Sequence, residues 1–163
     1  MTKLLYARYM AFLYLIILTS LSFTQYYNVD LNETGESHLV VFLDSIEGLS
    51  PGDEIGIFDL DGVIESDSTG ENTQYGEVLV GMTIWDGMAN QEGTVASCSA
   101  IMSLDLSDFG GPVLNGAVMG NNIIIKVRDL NQNIEYNTTP TFGIGGIFGD
   151  LFTTVTALIL IEE

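Results

Sequence analysis

The side chains whose chemistry is most apparent are acidic, and they crowd one stretch of the chain. Four of them are candidate ligands for a calcium ion: Asp53, Asp59, Asp61 and Asp67. Calcium takes roughly six to eight hard oxygen ligands, and carboxylates grouped at a turn can supply several of them. The order Asp-x-Asp-Gly at 59–62 resembles the start of a calcium-binding loop. However, Val63 and Gly70 stand where the helical calcium loop needs oxygen ligands, so a solvated acidic loop is the alternative.

Residues for catalysis are sparse. The chain has one histidine, His38, and one cysteine, Cys98, and no nucleophile elbow, phosphate-binding loop or paired metal-ligand motif accompanies them. A glycosidase carboxylate pair is defined by its separation in space, and the 22 acidic residues offer many such pairs. Without a substrate motif, we predict that the protein is not an enzyme. Cys98 has no partner for an internal disulfide and is predicted to be a small buried hydrophobic residue.

Short motifs for sugar attachment occur at four positions. Asn32 and Asn137 begin N-x-Thr sequons, and Ser45 and Ser68 lie in Asp-Ser motifs that resemble the O-glycosylation sites of some surface-layer bacteria. Motifs of this length arise often by chance, so an unmodified protein is the alternative.

Two aromatic residues could bind a sugar without being modified by one. The rings of Tyr75 and Trp85 could stack on a sugar ring, which would make the protein a monomeric, calcium-assisted carbohydrate-binding or adhesive module. Trp85 stands at the end of an apolar strand pattern, however, and a tryptophan in that position is more often a core or rim residue.

The charge balance limits the partners. Four basic residues stand against 22 acidic ones, giving a net charge of −18 at pH 7, and Lys3 and Arg8 lie in the first eight positions. Without that segment only Lys126 and Arg128 remain basic. A surface this negative repels nucleic acid and anionic lipid over roughly 8–10 Å at physiological salt. We therefore predict that nucleic acid is not a partner and that the mature form is not embedded in a membrane.

Residues 1–24 have the pattern of a signal peptide. A basic start is followed by an apolar run over 10–18, and the small residues Ser22 and Thr24 suit a cut before Gln25. The apolar run is shorter than the ~20 residues of a membrane span. The alternative is a retained hydrophobic helix, either an anchor or a pilin-like stalk. Cleavage predicts a secreted, extracellular protein.

After Gln25 the sequence alternates between strand and turn patterns. Ile55 and Ile57 point to one face of a predicted strand that follows the turn Ser50-Pro51-Gly52-Asp53, and a polar loop is predicted over 61–75. Eight or so such strands, with no amphipathic helix among them, predict one all-β domain over 34–163. The expected form is an antiparallel β-sandwich of the jelly-roll or immunoglobulin-like type.

Five motifs resemble a module of secreted and cell-surface bacterial proteins: T-G-E-S-H-L-V-V-F at 34–42, G-D-E-I-G-I-F-D at 52–59, L-V-G-M-T-I-W-D-G at 79–87, F-G-G-P-V-L-N-G at 109–116 and G-N-N-I-I-I-K-V-R-D at 120–129. Related modules are similar to the subunits of pilus-like extracellular filaments. The resemblance implies β-sandwich protomers that are joined by strand exchange, and it implies fold more firmly than activity because the motifs are turns and strand cores.

Residues 25–33 are the candidate donor strand of such an exchange. Tyr27, Val29 and Leu31 alternate with polar residues, and no basic residue protects this stretch from pairing with another chain. The alternative is that the stretch pairs within its own sheet, and 155–161 is a second donor candidate. We predict a structural subunit of an extracellular filament or surface layer, assembling head to tail with other copies of itself.

Overall fold

The computed structural model describes residues 25–162, so the predicted signal peptide lies outside the described residues. The described chain forms nine strands: β1 (Ser37–Leu43), β2 (Glu54–Glu65), β3 (Gln74–Ile84), β4 (Thr94–Ile101), β5 (Leu104–Asp105), β6 (Val113–Leu114), β7 (Ile124–Asp129), β8 (Ile134–Ile144) and β9 (Thr153–Ile161). A single 3-10 turn at Ser107–Phe109 interrupts them. The prediction of an all-β protein is therefore confirmed. Within 25–162 there is no helix of the length and apolarity needed to cross a membrane.

Seven strands form one curled sheet in the order β3-β2-β7-β8-β9-β1-β4, and β5 and β6 form a small second ladder. Neighbouring strands are antiparallel except for β1 and β9, which pair in parallel through three residues of each strand. The prediction of a purely antiparallel sheet is wrong at this pair. The reason is topological. β9 lies between β8 and β1, and the direction in which it runs antiparallel to β8 is also the direction of β1.

The curl brings the two edge strands, β3 and β4, against each other. Gly81 of β3 makes the close approach possible, since a Cβ at this position would lie 2.5 Å from the Cys98 Sγ and 3.2 Å from the Cα of Ala100 on β4. Burial raises the pKa of the Cys98 thiol to about 11, so the thiol stays protonated at neutral pH. Cys98 is a buried hydrophobic residue of this seam, as predicted.

One apolar core fills the inside of the curl. Strands from both halves of the sheet contribute fully buried side chains to it: Val40, Phe42, Ile55, Ile57, Val80, Ile125, Val127 and Val155. The alternation predicted for β2 is confirmed, because Ile55 and Ile57 point into this core. The opposite face of β2 is buried as well: Glu54, Gly56 and Phe58 are all covered. A second layer must therefore lie on the outside of this strand.

The Gly81 seam can be tested by adding one methyl group. Gly81→Ala is expected to lower the free energy of unfolding by about 1–3 kcal/mol, because overpacking at the seam forces β3 and β4 apart. This change in stability is measured by urea unfolding, monitored through the fluorescence of the single tryptophan, Trp85. Gly76→Ala on the same strand is the matched control, since its Cβ would meet only the end of the exposed Ile64 side chain, at 3.2 Å. Equal losses in the two variants would contradict this description of the seam.

Candidate functional site

Residues 25–33, here called the N-terminal segment, lie on the domain, and Tyr27 covers the outer face of β2 at Gly56 and Phe58. The side chains alternate as predicted: Tyr27 is buried and Val29 and Leu31 are half-buried, whereas Asn28 and Asp30 are exposed. The segment is not a strand in this structure, since 25–36 contain no ladder pairing. The predicted period of two is therefore confirmed, and the alternative, in which this stretch pairs within its own sheet, is not formed in this structure. The alternation arises because one side of the segment lies on the domain and the other faces solvent.

The first anchor of the N-terminal segment is a buried carboxylate. Glu54, the first residue of β2, accepts hydrogen bonds from the main-chain N–H of Tyr26, at 2.9 Å to both Oε1 and Oε2, and from that of Tyr27, at 2.8 Å to Oε2. Hydrogen bonds to an ionised acceptor are stronger than neutral ones. Two consecutive main-chain donors that no strand partner satisfies are thus held by one side chain.

The second anchor is the ring of Tyr27, which lies in a slot formed by Gly56, Phe58 and Glu135; we call it the Tyr27 slot. A Cβ on Gly56 would lie 3.0 Å from the Cζ of Tyr27, so glycine leaves the room that the ring occupies. The Phe58 ring meets Tyr27 edge to face at 5.7 Å between centroids. The Tyr27 hydroxyl donates to Glu135 Oε2 at 2.9 Å. Burial, and then this bond to a carboxylate, raise the pKa of Tyr27 far above its usual value.

The two basic residues of the described chain reinforce this region. Lys126 Nζ lies 4.6 Å from the centroid of the Phe58 ring and forms an ion pair with Glu77. Arg128 Cζ lies 4.3 Å from the centroid of the Tyr26 ring. Such cation–π contacts contribute about 0.5–1 kcal/mol each at partly exposed sites. Both cations of β7 are thus engaged with the aromatic side chains beneath and within the N-terminal segment.

Beyond the anchors the segment is loosely tied. Residues 28–33 make no hydrogen bond to any residue within 25–162, although Leu31 packs against the core. The chain is fixed again at Thr34, whose Oγ1 donates to the carbonyl oxygen of Met102 at 2.6 Å. The middle of the segment therefore offers a row of main-chain groups that have no hydrogen-bond partner within residues 25–162.

Sequence reasoning named Tyr27, Val29 and Leu31 but missed the residues that receive them, Glu54, Gly56 and Glu135. One sequence signal was available for the slot. Gly56 interrupts an otherwise bulky run on β2, and a glycine inside a strand marks a place where another group approaches closely. The sequence gives no comparable signal for Glu54 or Glu135, because each is one of many acidic residues.

Three of the four aspartates of the calcium hypothesis, Asp53, Asp59 and Asp67, accept main-chain hydrogen bonds at separate places in the chain. Asp53 accepts hydrogen bonds from the main-chain N–H of Ser50 at 2.8 Å and of Leu130 at 3.2 Å. Asp59 is buried and accepts from the N–H groups of Asp61 and Val118 and from the Asn121 side chain, all within 3.0 Å. Both carboxylates therefore join loops that are distant in sequence.

Asp67 organises its own loop, and Asp61 is exposed. Hydrogen bonds from the side chains of Asn72 and Thr69 lower the pKa of Asp67 to about 2. No group of three or more histidine, cysteine, aspartate or glutamate side chains within 25–162 is placed to hold a metal ion. The carboxylates of Asp53, Asp59 and Asp67 act as acceptors for main-chain N–H groups, and calcium binding stays a prediction.

The predicted sugar sites are spread over the domain. Asn32 and Ser68 are exposed, Asn137 is half-buried in β8, and the Ser45 hydroxyl donates to the carbonyl oxygen of Thr156 at 2.7 Å. Modification of these residues stays a prediction.

The aromatic pair of the carbohydrate-binding hypothesis is divided between surface and core. Tyr75 is exposed on β3, whereas Trp85 is only 5% exposed and belongs to the core. The alternative reading of Trp85 as a core residue is the one that the structure shows. Its ring has no free face for a sugar, so the structure does not bring a pair of stacking rings together.

His38 is a buried residue at the junction of β1 and β9. Its Nε2 lies 2.9 Å from the Thr153 Oγ1, and its Nδ1 accepts the main-chain N–H of Gly149 at 3.3 Å. Burial lowers its pKa, which favours the neutral ring that an accepting Nδ1 requires. These contacts stabilise the loop before β9.

Comparisons of the chain with protein-family models, curated proteins and solved structures find no match. The resemblance to subunits of pilus-like filaments therefore stays a prediction from the motifs, and the proposal below depends on the geometry of the N-terminal segment.

The hydroxyl of Tyr27 provides a test of the slot. Tyr27→Phe is expected to lower the free energy of unfolding by about 0.5–1.5 kcal/mol, since it removes one hydrogen bond and leaves the ring in place. Tyr26→Phe is the matched control: Tyr26 is half-exposed and its contacts are made by its ring and its main chain. Urea unfolding of both variants measures the difference, and an unchanged stability of Tyr27→Phe would contradict the second anchor.

Proposed function

We propose that the protein is a structural subunit of an extracellular filament or surface layer, in which the N-terminal segment of one protomer is exchanged into the next. The observation that supports this most directly is how the segment is held. Two anchors fix residues 26 and 27, while residues 28–33 lie on the domain without a hydrogen bond to it. A segment of this kind can leave its domain without breaking a ladder.

Exchange keeps the favourable contacts. If the segment of a neighbouring copy enters the Tyr27 slot, Glu54, Gly56 and Glu135 make the same contacts with it that they make within one protomer. Swapping of identical elements is for this reason a route to assembly that costs little. Any main-chain hydrogen bond that residues 28–33 gain from the neighbour adds about 0.5–1.5 kcal/mol, which would favour the exchanged form.

The contact is heterologous, because the segment of one copy meets the slot of another. Head-to-tail contacts of this type build open filaments unless their rotation closes a ring. The net charge of −18 disfavours nonspecific association of the copies. Specific exchange would therefore be needed to hold them together.

We further infer that the curled sheet is a two-layered sandwich of the jelly-roll or immunoglobulin-like type. The support comes from β8, which changes partners along its length: it pairs with β7 from Ile134 to Asn137 and with β9 from Asn137 to Ile144. Strands that pass from one layer to the other make the corners of such sandwiches.

Electron microscopy of two double variants tests the exchange. Val29→Asp with Leu31→Asp places two charges on the side of the segment that faces the domain, and we expect monodisperse particles where the unmodified protein forms fibres. Asn28→Asp with Asn32→Asp adds the same two charges on the exposed side of the same segment and should leave the fibres unchanged.

Circular dichroism establishes that both variants are folded. Fibres from the Val29/Leu31 variant would contradict exchange of the segment, and the absence of fibres from the unmodified protein would contradict assembly itself.

A further inference from the structure

The last strand of the chain, β9, lies between β8 and β1 in the sheet and is only partly paired on its β1 side. On one side, β9 pairs with β8 as far as Ile161. On the other side, it pairs with β1 only at Thr153, Thr154 and Val155. The Ser45 hydroxyl then caps the carbonyl oxygen of Thr156, where β1 has ended. Beyond this cap, residues 157–161 have no main-chain partner on the β1 side within the described chain.

This edge lacks the features that normally protect one. The stretch Ala157-Leu158-Ile159-Leu160-Ile161 contains no charge, proline or glycine. Its outward side chains are exposed, Ile159 by 62% and Ile161 by 45%. Soluble proteins usually cover such an edge or place a lysine or proline in it, because an unpaired apolar strand is a template for another strand. The stretch is therefore suited to pair with a second chain.

The sequence of residues 157–161 indicates that this second chain is another copy of the same protein. When two copies run antiparallel with Ile159 opposite Ile159, Leu158 meets Leu160 on the inner face and Ala157 meets Ile161 on the outer face. Every pair is apolar, and Glu162 of each copy lies beyond the last pair, away from its counterpart. We propose that residues 157–161 form an antiparallel ladder with the same residues of a second copy, which joins two seven-stranded sheets across a two-fold axis.

This contact goes beyond the assembly proposed above and does not depend on it. A two-fold contact is isologous and closes after two copies, whereas exchange of the N-terminal segment continues. Together, the two contacts would pair filaments side by side. Alone, the ladder gives a dimer.

Single-cysteine variants test the ladder and its register. In a Cys98→Ser background, Ile159→Cys places two thiols directly opposite each other across the two-fold axis, with Cβ atoms about 4.5–5.5 Å apart. A mild oxidant or a short bis-maleimide should convert this variant into a covalent dimer. Thr139→Cys is the matched control, because Thr139 is the direct partner of Ile159 on β8 and is exposed on the same face but lies one strand away from the unpaired side of β9.

The measurement is made with the Val29→Asp and Leu31→Asp changes present, so that exchange of the segment does not bring copies together. Covalent dimer from Ile159→Cys with little from Thr139→Cys supports the ladder. Equal yields from both variants, or dimer from neither, would overturn it, whatever the outcome for filaments.

A second pair of variants needs no crosslink. With the Val29→Asp and Leu31→Asp changes again present, Ile159→Lys should shift the mass measured by light scattering from two copies to one, since an exposed lysine blocks edge pairing without disturbing the core. Thr139→Lys should leave the mass at two copies. A monomer in both variants, or a dimer in both, would also overturn the ladder.

Discussion

The arrangement of the domain depends on the contact between the Glu54 carboxylate and the main-chain N–H groups of Tyr26 and Tyr27. Glu54 begins β2, a strand whose inner face forms the core and whose outer face would be exposed without a second layer. The carboxylate supplies the acceptor that a neighbouring strand would otherwise provide. It thereby fixes the start of the N-terminal segment over the Tyr27 slot, and the segment in turn covers Gly56 and Phe58.

Holding a segment by its side chains rather than by a ladder has a consequence for assembly. A ladder couples every residue of a strand to its neighbour, so such a strand is released as a unit at a large cost. Here the hydrogen bonds are concentrated at residues 26 and 27 and at Thr34, and residues 28–33 between them make none within 25–162, although Leu31 packs against the core. The same contacts can form between protomers, which makes the N-terminal segment the element of the described chain that is best suited to exchange.

Much of the fold followed from the sequence because alternation and turn chemistry are local. The strands around Ile55 and Val80, the lack of an α-helix within 25–162 and the inward side of Tyr27, Val29 and Leu31 are all consequences of a period of two. The parallel pairing of β1 with β9 and the Tyr27 slot were beyond reach, since each joins residues about a hundred positions apart or depends on one glycine among many. The aspartates show the same limit: a carboxylate that suits calcium also suits a turn, and the contacts of Asp53 and Asp59 with Ser50, Val118 and Asn121 could not be read from the sequence.

The central claim is that the N-terminal segment must leave its own domain before protomers can join. Gln25 Nε2 lies 3.1 Å from the Met82 Sδ, so Gln25→Cys and Met82→Cys, in a Cys98→Ser background, can be joined within one chain by a reducible thiol crosslinker. The crosslinked protein is then imaged by negative-stain electron microscopy before and after the crosslink is reduced. We expect monodisperse particles while the segment is locked to its own domain and fibres after it is released. Fibres from the locked protein would contradict the account.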